Sequence, residues 1–190
     1  MQGANGTYYN YAQGFDSCAG YASSGIDSAF FYDSKGDDRF VATPTQGTMT
    51  DSRGSYVTSG EGFDYVYAYS RNGGNDSATL YDSSGNDIFT SMAQAGLMRG
   101  AKNEYNNYVA GFRNLEVRAE NGGSDLALVN DVAASDKVVG RAKDLAIIRS
   151  SSKSLLSGFA RIAATAGKKT TATADVLAVD YLFQKIGKWK

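Results

Sequence analysis

The chain repeats itself with a period close to 48 residues, and this limits its possible folds more than any other feature. Gly-Phe recurs as Gly14-Phe15, Gly62-Phe63, Gly111-Phe112 and Gly158-Phe159, at spacings of 48, 49 and 47 residues. Aligning on those pairs, with a single-residue deletion in the first copy, brings other residues into columns. Gly25-Ile26-Asp27, Gly74-Asn75-Asp76 and Gly123-Ser124-Asp125 form one column. Asp33, Asp82 and Asp131 form a second, and Asp38, Asp87 and Asp136 a third, followed two residues later by Phe40, Phe89 and Val138. Tyr8, Tyr56 and Tyr105 each lie seven residues before a repeat's Phe. Self-similarity at a fixed period marks a chain built of units that bury their apolar surface only against neighbouring units.

Within one repeat the pattern is that of short strands between tight turns. Phe63-Asp64-Tyr65-Val66-Tyr67-Ala68-Tyr69 is aromatic and β-branched with alternating character, which suits a pleated surface. It ends at Arg71-Asn72-Gly73-Gly74, residues able to take positive φ angles. Ser77 to Tyr81 and Ile88 to Met92 follow, separated by the turn Asp82-Ser83-Ser84-Gly85-Asn86. No helical periodicity of useful length occurs in the first 150 residues, so that region reads as all-β.

A propeller would need more blades than the chain supplies, and a sandwich would not lock Asp columns to identical turns. The expected fold is a right-handed parallel β-helix, each repeat winding as two coils of about 24 residues, roughly six to seven coils in all. Residues 1–13 form the N-terminal edge of this solenoid, 14–157 three repeats, and 158–190 a divergent last repeat with a cap. In the cap, Val179, Leu182, Phe183, Ile186 and Trp189 recur at helical spacing behind a candidate N-cap, Asp175. This predicts a capping α-helix over the last coil. No comparable cap precedes Tyr8, which leaves the N-terminal end open to a preceding domain or to end-to-end self-association.

Composition excludes several chemistries. The chain has no His, one Cys and a net charge of −1. Without imidazole there is no Ser-His-Asp triad or Cys-His pair, and no His ligand for zinc or haem. Cys18 alone makes neither a disulfide nor a thiolate zinc site and reads as a small buried apolar residue. The charge balance argues against nucleic acid as a partner, and no apolar run is long enough to span a membrane as a helix. Oxygen-only metal sites, carboxylate chemistry and pure binding remain.

Four carboxylates are candidate calcium ligands, Asp76, Asp87, Asp38 and Asp125, because each sits in or beside a Gly-Asn-Asp-type turn. The turns look like fragments of the calcium-binding nonapeptide repeats of secreted toxins, although the Asp76-to-Asp87 spacing of 11 departs from their nine-residue step. The metal-free alternative is that Asn and Asp close their own turns through backbone hydrogen bonds, with no cofactor. Tyr65, Tyr67 and Tyr69 alternate and so share one face. Pointing outward they would offer a surface for a glycan or protein partner; pointing inward they are core, the simpler assignment. Arg99, Arg113 and Arg118 lie near carboxylates, as a polysaccharide-active enzyme would require, but no pairing singles out a catalytic residue.

The segment Gly73 to Phe89, with its Leu80-Tyr81-Asp82 and Gly85-Asn86-Asp87, resembles repeats of very large secreted or cell-surface bacterial proteins, notably those of planctomycetes. Asp180-Tyr181-Leu182-Phe183 through Gly187-Lys188-Trp189 resembles the C-terminal closure of such chains. The resemblance spans roughly residues 14–140 and 175–190. It implies an extracellular or cell-surface location, a C-terminal position in a longer precursor, and no catalytic residues. The expected function is therefore a non-catalytic structural or adhesive solenoid module, with a calcium-binding solenoid and a polysaccharide-binding or lyase-like β-helix as alternatives.

Overall fold

A computed structural model describes residues 15–190, so Tyr8, Gly14 and the expected N-terminal edge at 1–13 lie outside the described residues. The described chain is all-β, a solenoid of about four turns. Its strands are β1 (Ser17–Tyr21), β2 (Ser28–Tyr32), β3 (Asp38–Ala42), β4 (Gln46–Asp51), β5 (Val57–Glu61) and β6 (Tyr65–Tyr69). Then come β7 (Ser77–Tyr81), β8 (Asp87–Ser91), β9 (Ala95–Gly100), β10 (Asn106–Ala110), β11 (Asn114–Arg118) and β12 (Leu126–Val132). The last are β13 (Lys137–Ala142), β14 (Asp144–Ile148), β15 (Lys153–Ser157), β16 (Arg161–Ala166), β17 (Ala174–Val179) and β18 (Leu182–Ile186).

They form two sheets. A ten-stranded sheet runs β1-β5-β4-β3-β7-β11-β15-β14-β13-β17, and an eight-stranded sheet runs β18-β16-β12-β8-β9-β10-β6-β2. Most neighbours are parallel; β4, β9 and β14 alone among the described strands run antiparallel to both neighbours. Each repeat is thus a three-stranded meander in one sheet, a strand in the other sheet, and a strand back in the first. The meander doubles back along the solenoid, so that β5 returns to pair with β1, and β10 with β6. Successive meanders (β3–β5, β8–β10, β13–β15) lie in alternate sheets.

The expected coil of about 24 residues is corrected by this backtracking. Parallel neighbours up to β17 are offset by 34 to 41 residues, from Val132↔Ala166 to Tyr65↔Asn106. Each such coil carries a reversed strand that a plain parallel helix lacks. Fewer, longer turns result, rather than six to seven short ones.

Alternation places the core between the sheets. In β6, Val66 and Ala68 are buried while the tyrosines are not. Phe40 faces Met49 across β3 and β4, Phe89 faces Met98 across β8 and β9, and all four are fully buried. Phenylalanines from successive repeats meet in the interior, Phe40 with Phe112 and Phe89 with Phe159, each pair with ring centroids 6.3 Å apart. The Gly-Phe pairs have a steric origin. Gly62, Gly111 and Gly158 hold φ near +80°, and a Cβ on them would stand 2.1–2.4 Å from the carbonyl oxygens of Ala22, Ser70 and Ala119. Only glycine lets the backbones of adjacent coils approach this closely.

The capping helix is not present. Residues 174–186 form β17, parallel to β13, and β18, parallel to β16. Val176, Val179 and Phe183 pack on the core from these strands, and Asp175, expected as an N-cap, pairs with Arg141 at 2.6 Å inside β17. The helical spacing of the five apolar residues is equally a short strand, a turn and a short strand, and the open ladder of the last coil selects the latter. The tail closes with Trp189, whose Nε1–H donates to the Ile186 carbonyl at 2.9 Å. Cys18, expected to be buried, is exposed on β1, an outermost strand among those described.

Candidate functional sites at the corners and on the outer face

Two clusters of three buried carboxylates lie where the chain turns from one sheet to the other. Asp33, Asp38 and Asp76 form the first, and Asp82, Asp87 and Asp125 the second; within each, one carboxylate oxygen per residue lies within 4.8 Å of the others. The first sits where the chain enters the ten-stranded sheet and the second where it enters the eight-stranded sheet. Because the parallel strands of each sheet share one direction, these corners occupy opposite lateral edges.

The coil offset builds each corner. Asp38 and Asp76 are 38 residues apart and stack directly, the Asp38 N–H donating to Asp76 Oδ1 at 2.7 Å. In the second corner the Asp87 N–H donates to Asp125 Oδ1 at 2.8 Å. Asp38 also accepts from the Ser34 N–H and hydroxyl, and the Tyr56 hydroxyl donates to it at 2.7 Å. Asp87 repeats this set with Ser83 and with Tyr105, also at 2.7 Å. Asp33 accepts from the Arg71 and Asn72 N–H groups, and Asp82 from that of Asn121. The corners differ in the donor beside the stacked Asp. The Ser70 hydroxyl donates to Asp76 Oδ2 at 2.6 Å, whereas Ala119 stands at the equivalent place beside Asp125.

The protonation energetics follow. Burial raises the Asp76 carboxyl above the usual carboxylate range, opposed by its bonds from Ser70 and the Asp38 amide. Asp125, lacking the serine, is pushed up to about 6 by burial, with the charges of Asp82 and Asp87 adding to it. Burial also raises Asp82. Tyr56 and Tyr105 are raised by burial and by the carboxylates to which they donate, which keeps them as donors. Three clustered carboxylates, with Asp76 raised in one corner and Asp82 and Asp125 in the other, can retain a proton or share a hard cation, and an all-oxygen donor set suits calcium or magnesium.

A third corner has lost this form. Ala172 replaces the stacked Asp, Ser152 replaces the Tyr, and Asp131 is exposed at φ 54°. Asp136 is instead met by the Arg149 guanidinium at 3.5 Å, with side chains only 8% and 9% exposed. Here the chain supplies its own cation, and burial lowers the Arg149 pKa.

The four Asp residues singled out from the sequence are all at the corners, but in other partnerships than their spacing suggested. Asp76 joins Asp38, not Asp87, and Asp87 joins Asp125. Asp33 and Asp82 complete the clusters; their column was visible in the repeat, but their role was not, because it depends on the coil offset.

Tyr65, Tyr67 and Tyr69 point outward, which corrects their assignment to the core. They join Phe30 and Tyr32 of β2 and Tyr108 of β10 in a ladder across the eight-stranded sheet. Phe30 stacks on Tyr67 at 4.9 Å and 12°, and Tyr32 on Tyr69 at 5.6 Å and 19°. Tyr108 lies 6.0 Å from both Tyr67 and Tyr69, and the Arg71 guanidinium covers Tyr69 at 4.2 Å. The near-parallel stacking turns ring faces toward one another, so the surface presents ring edges and hydroxyls. Arg99 and Arg118 are occupied elsewhere, by Asn103 at 2.8 Å and Glu116 at 2.7 Å. Arg113 uses its backbone in the ladder, its carbonyl accepting from the Lys153 N–H.

No protein-family model matches this chain, and neither a curated protein nor a solved structure gives a significant match. No helix among the described residues is long and apolar enough to cross a membrane.

Proposed function

We propose that this chain is a non-catalytic structural and adhesive module of a secreted or cell-surface bacterial protein, a rigid solenoid that presents an aromatic face to an extracellular glycan. The observation that carries this reading is the outward ladder of Phe30, Tyr32, Tyr65, Tyr67, Tyr69 and Tyr108, held on a laddered sheet. Ring edges and a row of phenolic hydroxyls suit the alternating apolar and hydroxylated surface of a polysaccharide, and a sheet fixes them at little entropic cost on binding. The winding is taken as right-handed, the sense that nearly all parallel crossovers adopt. Binding of the intact chain to immobilised bacterial and plant polysaccharides tests the proposal. Retention that is lost in Tyr67→Ser/Tyr108→Ser, with the melting curve unchanged, supports it. Retention indifferent to those substitutions, or none on any polysaccharide, overturns it.

A second reading, calcium binding at the corners, is favoured by one feature: three buried carboxylates within 4.8 Å of each other, with Asp76, Asp82 and Asp125 all raised. A thermal melt followed by circular dichroism, in excess calcium and in chelator, decides it. A ligand bound at about a hundred times its Kd adds close to 2.7 kcal/mol to the folded state, so bound calcium raises the melting temperature by several degrees. An unchanged melt leaves the corners as self-closed turns.

A further inference from the structure

We propose that copies of this chain associate head to tail, the β1/β2 end of one copy adding to the β17/β18 end of the next. Among the described residues, β1 is bonded only to β5 and β2 only to β6; at the other end β17 is bonded only to β13 and β18 only to β16. Each end therefore offers two strand edges, one per sheet. The pairings chain together so that β1 and β17 run in the same direction, as do β2 and β18. A second copy set end to end would continue both sheets as parallel ladders, the arrangement already used between coils, and exposed strand edges are templates for such pairing.

The apolar surface is concentrated at these same ends. Of the ten large hydrophobic side chains exposed among the described residues, Phe15, Tyr21, Ile26, Phe30 and Tyr32 lie on or beside β1 and β2, and Leu177, Leu182 and Ile186 on β17 and β18. Only Val57 and Ile148 lie elsewhere in that group, and Val57 is on β5, next to β1. Isolated exposed apolar residues are ordinary; two groups of them at the unpartnered ends of a ladder are not.

Charge selects the second copy as the occupant. Residues 15–64, which include the first two edge strands, hold six carboxylates besides the buried Asp33 and Asp38, against three cationic side chains. Residues 161–190, which include the last two, hold six cationic side chains against two carboxylates. Opposite charges favour head-to-tail contact and oppose like ends meeting. Such a contact is heterologous and does not close on itself, so it generates open chains of copies.

Sedimentation velocity on the full chain, over a concentration series and at low and high salt, tests this. Growth with concentration that weakens by about tenfold or more at high salt is expected, since the attraction is partly between screened surface charges. Phe30→Lys/Tyr32→Lys blocks one end, and Leu182→Lys/Ile186→Lys blocks the other. Each variant alone should be monomeric, and an equimolar mixture should form a dimer and stop there, because the one free end of each variant is used in the contact and both outer ends of the dimer are blocked. The mixture also verifies that both variants are folded. Wild-type chain that stays monomeric throughout the series overturns the proposal, as does a singly blocked variant that dimerises with itself while the mixture gains nothing. Lys185→Glu/Lys188→Glu should weaken association and flatten its salt dependence; an unchanged salt dependence counts against the charge argument.

Discussion

Asp125→Asn separates a corner that holds a proton from one that holds a charge. Asp125 is 3% exposed, beside Asp82 and Asp87, and its pKa is pushed up to about 6, first by burial. In the unfolded chain an aspartate titrates near 3.9, so the folded state favours the protonated form by about 2 units, or roughly 3 kcal/mol. The direction follows from where each state ionises. Below about pH 4 both states are protonated and nothing is lost. Between about pH 4 and pH 6 the unfolded chain ionises while the folded carboxyl resists, so stability falls as pH rises, and above about pH 6 the full penalty is in place. Asparagine keeps an Oδ1 that accepts from the Asp87 N–H and removes the charge. Asp125→Asn is therefore expected to stabilise the protein by about 2–3 kcal/mol at pH 7.5 in chelator, with the gain shrinking toward zero near pH 3.5. At roughly 2–4 °C per kcal/mol for a chain of this size, the melting temperature should rise by about 5–10 °C. Circular dichroism melts of both proteins at stepped pH measure it. A loss of stability at pH 7.5 in chelator, or a gain that does not shrink on acidification, refutes the reasoning. In calcium the order inverts if the corner holds the ion, because asparagine removes a charged ligand.

The corner hydroxyls and the coil-to-coil glycines give two further tests. Tyr105→Phe removes a buried hydroxyl that donates to Asp87 at 2.7 Å and should destabilise by about 1.5–3 kcal/mol in urea unfolding, the range for a hydrogen bond to a charged group. Tyr56→Phe, at the less buried equivalent bond, should cost less. Gly111→Ala puts a Cβ 2.1 Å from the Ser70 carbonyl oxygen at φ +86° and should cost about 3 kcal/mol or more, strain and steric displacement together. Gly54→Ala, at φ +70° with nothing within 4 Å, isolates the backbone part and should cost only about 1–2 kcal/mol. Equal losses at the two glycines would refute the steric account.

The residues that share a role were legible, and those that share a site were not. Gly-Phe, the Asp columns and the strands Ser77–Tyr81 and Tyr65–Tyr69 all emerge from aligning the chain with itself, because equivalent positions in a stacked repeat face equivalent demands. That alignment has a period near 49, whereas bonded neighbours are offset by about 38. The difference arises from the reversed strands β4, β9 and β14, whose sequences, such as Gln46–Asp51, alternate like any other strand and carry no sign of direction. Without the coil offset Asp76 could not be placed on Asp38, nor Phe30 beside Tyr67, and the tyrosine face could not be turned outward. The misread C-terminus has a related cause. Val179, Leu182, Phe183, Ile186 and Trp189 fit a helix as well as a broken strand pair over so short a run, and the choice was made by the open edges of β13 and β16, which offer backbone partners that a helix would leave unbonded. The third corner supports the same view from the energetic side. Once Ala172 and Ser152 removed the stacked carboxylate and the phenol, a buried Asp136 needed another partner, and Arg149 provides it. What the corners require is therefore compensation of a buried carboxylate, and the repeats meet it in more than one way: with tyrosine and amide donors at Asp38 and Asp87, and with a guanidinium at Asp136.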